Sequence, residues 1–517
     1  MSRVIQNLSI KLDEVLEEKL RLMEPQMGHF RILRKSIDAR RRHELREVYS
    51  VELFQTGESI PSNEIRLDST SYRGPKPVVV GSGPAGLFAA LRLAERGIPV
   101  RLIERGSNAQ KRILGINKFW RYGQLDPDNN VCFGEGGAGL YSDGKLITRI
   151  KSDHIPYVMR RLVEFGAPEE IEYLSNPHVG SDRIRRVIPK LRARLLELGC
   201  EIHFDTRMTE LIVDGSRVVG LKTQNGETFH TDHVILATGH SANDIFDHLH
   251  AIGVALEGKS FALGLRVEHP QEMVNKIQYR GHAEHPKLGA ANYKLTYHQE
   301  DTGTGVYSFC MCPGGYVLSS GTEAGGVVAN GMSNYHRNSP FANAAIVVTI
   351  DHPKLFGNDL FGGMKFRTAL EQGAFQAVQT AGGTRQIPAQ RLVDFMARRS
   401  GPTLPTSSPS GVTAVRLDEI LPTWLNTELN KGFESFEKSM KGFITDKAQL
   451  HGIESRTSCP LRIPRDADSF ESISHAGLYP AGEGAGYAGG ITSAAVDGIK
   501  IADSIFERVR SSAASTI

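Results

Sequence analysis

Hydrophobic and polar positions follow several distinct periods along this chain, and the changes of period divide it. In VIQNLSIKL (4–12) apolar residues fall at every second position, as in a half-buried strand. EVLEEKLRLM then shifts to a helical period, with Val15, Leu16, Leu20 and Leu22 as the expected apolar face. RILRKSIDARRR and REVYSVELF predict two more strands, so residues 1–70 are expected to form a small α+β module. SYRGPKP marks a boundary. Beyond it, PVVVGSGPAGLFAALRLAERGIPVRLIERG predicts a buried strand, a glycine turn, a helix and a second strand. Helical periods dominate residues 151–200. EIHFDTR, TELIVDG, RVVGLKT and HVILATG follow as short strands, a meander that returns to the first sheet. Residues 251–455 are mixed and glycine-rich, and the chain closes on strand, glycine loop and helix in LYPAGEGAGYAGGITSAAVDGIKIADSIF.

Composition narrows the classes. With 517 residues, 40% hydrophobic and 23% charged, a buried core is expected rather than disorder. The 53 glycines have no G-X-Y period, so they mark tight turns or close approaches to a ligand. No apolar run approaches ~18 residues, and the start lacks a signal-peptide pattern, so no membrane partner is expected and a cytoplasmic location is. The five cysteines form no C-x-x-C, and the 18 histidines show no ligand spacing, so no metal is expected. A net charge of +3 does not call for a nucleic-acid partner. The basic run Arg31, Arg34, Lys35, Arg40, Arg41 and Arg42 is read as a solvated strand edge ahead of a phosphate contact.

Gly81-Ser82-Gly83-Pro84-Ala85-Gly86 is a G-x-G-x-x-G between a predicted strand and helix, the context that gives it meaning. Gly81 permits the turn, Gly83 lets the backbone approach a pyrophosphate, and Gly86 lets helix and strand pack closely. The helix N-terminus offers N–H groups to phosphates. Glu104 ends the second strand, where a carboxylate accepts both ribose hydroxyls and repels a 2′-phosphate. The turn does not by itself distinguish FAD from NAD.

Two later segments, Ala237-Thr238-Gly239 after a buried strand and Leu478–Gly484, complete a set that resembles the FAD-binding domain of glutathione-reductase-like flavoproteins. In that family the acidic residue of the last motif serves the ribityl and phosphate region, and Glu483 stands where Asp is commoner. FGEGGAGLYSDGKLITR (133–149), FALGLRVEHPQ (261–271), SFCMCPGGYV (308–317), SRTSCPLRIPRD (455–466) and YPAGEGAGYAGGITSAAVDGI (479–499) look like signatures of a little-characterised group of FAD-dependent dehydrogenases. The likeness covers nearly the whole chain and extends more distantly to flavoproteins that include bacterial ene-reductase-like proteins. It implies an α/β fold: a Rossmann-like FAD-binding domain (71–250, returning over 456–517), an inserted mixed α+β substrate domain (251–455) and the N-terminal module.

The expected cofactor-binding set is Gly81–Gly86, Glu104, Arg105, Gly136, Gly137, Ala138, Gly139, Lys145, Met208, Ala237, Thr238, Gly239, Gly482, Glu483, Gly489, Gly490 and Ile491. A helix starting near Gly490 would aim its N-terminus at the flavin N1–C2=O. Lys145 is the expected cation near the flavin, weighed against an ordinary salt-bridged lysine. Arg456 and Arg462 complete the candidate catalytic group by suiting carboxylate or phosphate recognition, with structural ion pairs as the alternative. Tyr487 is weighed as a flavin shield against simple packing, and His240 and His269 are read as structural.

In Cys310-Met311-Cys312 a regular strand would point both thiols to one face with Cα atoms ~6.5–7 Å apart. That is at or beyond the ~6.8 Å limit of an unstrained disulfide, so inert packing is expected ahead of a substrate-lining thiol and a flavin-coupled dithiol. The function expected is a FAD-dependent oxidoreductase acting on a small molecule by hydride transfer. Only one dinucleotide turn is present, so reduction by the substrate or an external reductase is favoured over NAD(P)H as a transient donor. A tRNA-modifying flavoprotein and a non-catalytic flavin sensor are the alternatives. Substrate and oligomeric state do not follow from the residues.

Overall fold

The structure is a computed structural model and describes residues 3–40, 44–61, 65–301 and 303–514. Arg41 and Arg42 of the basic run, and the last three residues, lie outside the described residues.

The N-terminal pattern folds as β1 (Arg3–Lys11), a helix Leu16–Met23, β2 (Met27–Asp38) and β3 (Arg46–Gln55), in an antiparallel sheet of order β1-β3-β2. Only Leu16 and Leu20 of the expected helix face join its core. Leu22 is 80% and Val15 52% exposed, because an eight-residue helix on a three-stranded sheet buries a stripe one turn apart and no wider. The basic run is paired within the protein: Arg31 with Glu52, Lys35 with Glu47, and Arg34 with the Ser175 hydroxyl. The β2 edge is covered, since Lys35 N donates to Tyr173 O and Ser175 N to Lys35 O.

A parallel five-stranded sheet follows, built from β4 (Val78–Val80), β5 (Arg101–Ile103), β6 (Glu201–His203), β10 (Val234–Leu236) and β22 (Leu478–Pro480), in the order β22-β10-β4-β5-β6. The three valines of β4 are buried, as parallel strands covered on both faces must be. The helix Pro84–Glu95 buries nearly its whole circumference between this sheet and the C-terminal helix Ile491–Ala514. A Cβ at Gly498 would collide with the Ala85 carbonyl oxygen, so the two helices touch backbone to backbone there. The strands β7 (Met208–Asp214), β8 (Arg217–Thr223) and β9 (Thr228–His230) form a separate meander, and β10 then returns to the sheet.

The short β11 (Glu257–Gly258) pairs with β21 (Leu461–Arg462). A second large sheet has the order β13-β14-β17-β12-β20-β18-β19. Its strands are β12 (Phe261–Pro270), β13 (Thr296–Gln299), β14 (Thr304–Cys312), β17 (Phe341–Ile350), β18 (Ile387–Arg391), β19 (Val412–Ala414) and β20 (Gln449–Glu454), while β15 (Gly315–Ser319) and β16 (Ala329–Ser333) form a ribbon beside it. All pairs in this sheet are antiparallel except β18–β19. Its core is the second large apolar cluster of the molecule. No helix among the described residues is long and apolar enough to cross a membrane.

Candidate functional site

In the parallel sheet the chain runs outward from β4 through β5 to β6, then returns to the other side of β4 with β10. That reversal makes a crevice at the carboxyl ends of β4 and β10, where open α/β sheets bind ligands. A cavity of about 380 Å³ lies there. Its floor is backbone. Gly81 has φ of 102°, and a Cβ on it would strike the Ala237 carbonyl. Gly83 is the N-cap of the helix Pro84–Glu95 and has no side chain to satisfy its first-turn N–H groups. Gly83, Pro84 and Ala85 at this helix start line the cavity, and the positive end of a helix dipole makes that wall attractive to an anion.

The loop Gly134–Gly139 closes over this turn, and a Cβ at Gly137 would sit 3.0 Å from the Gly83 Cα. Its shape comes from Arg112, a residue that sequence reasoning missed. The fully buried Arg112 guanidinium donates to the carbonyls of Asn130 (2.9 Å), Val131 (2.7 Å), Gly134 (3.2 Å), Glu135 (2.8 Å) and Gly137 (2.9 Å). No local pattern announces this, since the donors leave one helix and the acceptors belong to a loop about twenty residues on.

Glu104 lines the cavity but is already engaged. Its carboxylate accepts from Ser82 N (2.8 Å), Ser82 Oγ (2.7 Å), Gly106 N (3.0 Å) and Gly134 N (2.9 Å). This corrects the expectation of a carboxylate free for two ribose hydroxyls: about four acceptor positions are filled by the protein. Glu104 instead ties together the three loops that meet at the turn. Arg105 lines the cavity with its guanidinium 4.4 Å from the Phe133 ring centroid and paired with Asp244 at 2.9 Å. Met208 lies on the same side.

From the far end of the chain, Gly482 (φ 71°), Glu483, Gly489, Gly490 and Ile491 reach the opposite wall, beside Ala237–Gly239. Burial pushes the Glu483 carboxyl up to about 8, against the opposing pull of Lys259, so it is largely protonated at neutral pH and can donate a hydrogen bond. Gly482 N donates to Asp497 at 2.8 Å, which locks this loop onto the C-terminal helix.

The second sheet supplies the remaining wall through Phe309 and Cys310 of β14 and Glu454 of β20. Lys145 lines the cavity, and its ammonium donates to the Met311 carbonyl. Arg456 also lines it, but holds Glu371 at 2.8 and 3.1 Å and Thr322 Oγ1 at 2.5 Å. His240, which bonds Ser241 Oγ at 2.7 Å, is a cavity residue as well; burial, with Arg367 and Arg456 nearby, pushes it down to about 3 and keeps it neutral.

Four expected site residues are not on the cavity wall. Ser82 is turned inward to Glu104, Gly86 packs against the Gly81 carbonyl, and Gly136 lies under Leu140. Arg462 sits on the two-residue strand β21 at a separate depression with Lys259 and Ser260, its guanidinium 5.4 Å from the Tyr487 ring centroid. Tyr487 is likewise absent from the wall; its hydroxyl accepts from Arg465 N at 3.1 Å and its ring carries the Arg465 guanidinium at 3.8 Å. His269 is buried against the Phe443 carbonyl, as a structural histidine.

Comparison with known proteins adds the family. Residues 76–116 match a FAD binding domain, 173–292 the FAD dependent oxidoreductase family, 260–457 a "FAD-dependent protein, C-terminal domain-like" family, and 6–54 a domain of unknown function. An uncharacterised protein of Clostridium beijerinckii is 41% identical over 98% of this chain and 98% of its own. An NADH:fumarate oxidoreductase of Klebsiella pneumoniae is 27% identical over 31% of this chain and 20% of its own length. The solved structure of the flavin-dependent brominase Bmp2 is 13% identical and covers 84% of this chain and 79% of that one, with a TM-score of 0.38. The chain belongs to one family with the Clostridium beijerinckii protein and is a FAD-dependent oxidoreductase.

Proposed function

We propose that the cavity at the carboxyl ends of β4 and β10 holds FAD and that a small-molecule substrate reaches it from the side of the second sheet. One observation carries this reading: the glycine turn at 81–86 and the segments 482–483 and 489–491, about 400 residues downstream, line a single cavity. The walls fit the cofactor chemically. An uncapped helix N-terminus and glycines without Cβ atoms suit a pyrophosphate. A protonated Glu483 can donate to a ribityl hydroxyl or a phosphate oxygen without repelling it. The bound cofactor would supply two-electron redox chemistry.

This chain's residues would bind and orient. Glu104 and Arg112 hold the loops around the pyrophosphate. Lys145 places a positive charge within the cavity, where it favours an electron-rich ring, and His240 stays neutral beside it. Arg456, fully committed to Glu371 and Thr322, is a positioning residue. Electrons arrive from the substrate or an external reductase rather than from NAD(P)H, since one dinucleotide turn is present in the sequence.

The test is the purified protein itself. It should be yellow and release FAD, not FMN, on heating. A Cβ at Gly83 meets only the Gly137 Cα, at 3.9 Å, so a bulky Gly83→Trp side chain projects into the cavity and should leave folded but colourless protein. Folded Gly83→Trp protein with stoichiometric FAD overturns the placement. Anaerobic mixing with NADH or NADPH decides the donor, and rapid bleaching by either rejects the preference stated above.

A further inference from the structure

β14 departs from a regular strand at its cysteines. Phe309 pairs with Ala345 and Cys312 with Asn343, so three steps along β14 match two along β17. Cys310 lies in this bulge with φ of 46°, a left-handed conformation that non-glycine residues rarely adopt. The strand is irregular at the pair, so the spacing reasoned for a regular extended strand does not apply to Cys310 and Cys312. The Cys312 sulfur lies 3.3 Å from the Cys310 carbonyl oxygen.

The two thiols differ in access and charge. Cys310 lines the cavity and is half-buried, whereas Cys312 is fully buried behind it. The Cys312 thiol beside it, with Lys145 and Arg266, draws Cys310 towards the thiolate, and the Cys310 sulfur holds Cys312 protonated. Arg266 is itself buried and anchored by Glu454 at 2.8 Å and Asn343 at 2.9 Å, so its charge is fixed next to the pair. Burial raises Cys200 and pushes Cys459 up to about 11, which leaves both as inert thiols. A polarised thiol with a second thiol behind it, in the wall of a cofactor cavity, is an arrangement suited to reversible disulfide formation.

We propose that Cys310 and Cys312 form a dithiol–disulfide centre that exchanges an electron pair with the FAD of the same cavity, an inference that rests on the cofactor placement above. In the oxidising direction of the cofactor, the S–S bond breaks and the two sulfurs take up the electron pair. The two-electron-reduced FAD gives up those two electrons and two protons. One proton goes to Cys312, the other leaves to solvent, and Cys310 remains as thiolate. In reverse, the Cys310–Cys312 bond forms as the two electrons enter the cofactor. The centre thus stores a second electron pair beside the flavin.

The test is an anaerobic reductive titration of the FAD-loaded protein with dithionite, paired with thiol counting after denaturation. The oxidised protein should consume four electrons per FAD, two for the cofactor and two for the disulfide. Its free thiols should rise from three to the full five as it is reduced. Peptide mapping of the oxidised form should show the Cys310–Cys312 link, and Cys312→Ser protein should consume two electrons per FAD. Thiol counting on the unmodified chain decides the matter even if the variant fails to fold. Yellow protein that takes up two electrons with five free thiols throughout overturns the proposal and leaves the FAD placement standing. Colourless protein overturns the placement, and the proposal with it.

Discussion

The two large sheets contribute to one cavity in opposite ways. The parallel sheet offers backbone: glycine turns after β4, β10 and β22, and helix N-termini where the chain turns back. The antiparallel sheet offers side chains: Phe309, Cys310 and Glu454, with Arg456 just beyond β20. A wall made of backbone requires small residues in a set local order, and such an order can be read along the chain. A wall made of side chains depends on which strands pair, and β14, β17, β12 and β20 come together from positions as far apart as Phe261 and Glu454. The first half can therefore be recognised from its sequence and the second only from its fold.

This contrast breaks most severely at Arg112, a side chain on which the backbone wall depends. Arg112→Met keeps an unbranched apolar stem but removes the guanidinium from five carbonyls. Those of Asn130, Val131 and Glu135 lose this donor, while those of Gly134 and Gly137 keep Gly137 N and Leu140 N as donors. At about 1–3 kcal/mol for each buried group left unsatisfied, partly relieved by water, a net loss of about 4 kcal/mol is expected. Urea unfolding should show it, and the flavin absorbance should vanish from purified protein. Unchanged stability with stoichiometric FAD would mean that the loop holds its shape without the guanidinium.

Glu104→Ala comes next. A freely accepting carboxylate would lose only cofactor affinity. The observed one, which accepts four hydrogen bonds, should also cost the FAD-free protein about 2 kcal/mol. FAD should weaken by about one to two decades. Thermal unfolding of the FAD-free protein separates the two effects, and an unaltered midpoint would restore the simpler reading.

Glu483 sharpens the comparison through pH. Its folded value of about 8 lies above the ordinary 4.5, so the folded state holds the proton more tightly. Its share of stability is fully present below 4.5 and is lost as pH rises through about 8. In Glu483→Gln this loss disappears, so the unfolding midpoint of the FAD-free variant should gain on that of the unsubstituted protein across that window. Parallel profiles would show that the carboxyl is ionised throughout. The smallest effect is expected at Arg462. Arg462→Ala should keep its FAD and change the rate of flavin reduction by less than about twofold, within the usual range for a side chain away from the site. A tenfold fall would return Arg462 to the chemistry.

The parallel sheet, the glycine turn and the strand–helix order at both ends of the chain were legible because each has its own short-range period. The bulge at Cys310 was not, because a strand period says nothing about an extra residue that only the register with β17 reveals. Arg456 and Arg462 looked equivalent in the sequence, six residues apart in one signature. The structure separates them, because β21 turns away to pair with β11 while Arg456 stays on the cavity wall. Glu104 was placed correctly at the end of β5, but its partners Gly106 and Gly134 come from loops whose meeting is a tertiary event.

The N-terminal module touches both halves of the molecule. Its β2 edge bonds through Lys35 to Tyr173 and Ser175 on the side of the parallel sheet, while Glu47 takes Lys287 at 3.2 Å and Asp13 takes His285 at 3.2 Å from the region between β12 and β13. Mechanically, this is a strap across one end of a two-plate clamp. Parting the plates at that end means breaking either the main-chain hydrogen bonds at Lys35 or the ion pairs of Glu47 and Asp13, which favours opening on the unstrapped side. The module thereby gives the cleft a front and a back, although none of its described residues lines the cavity.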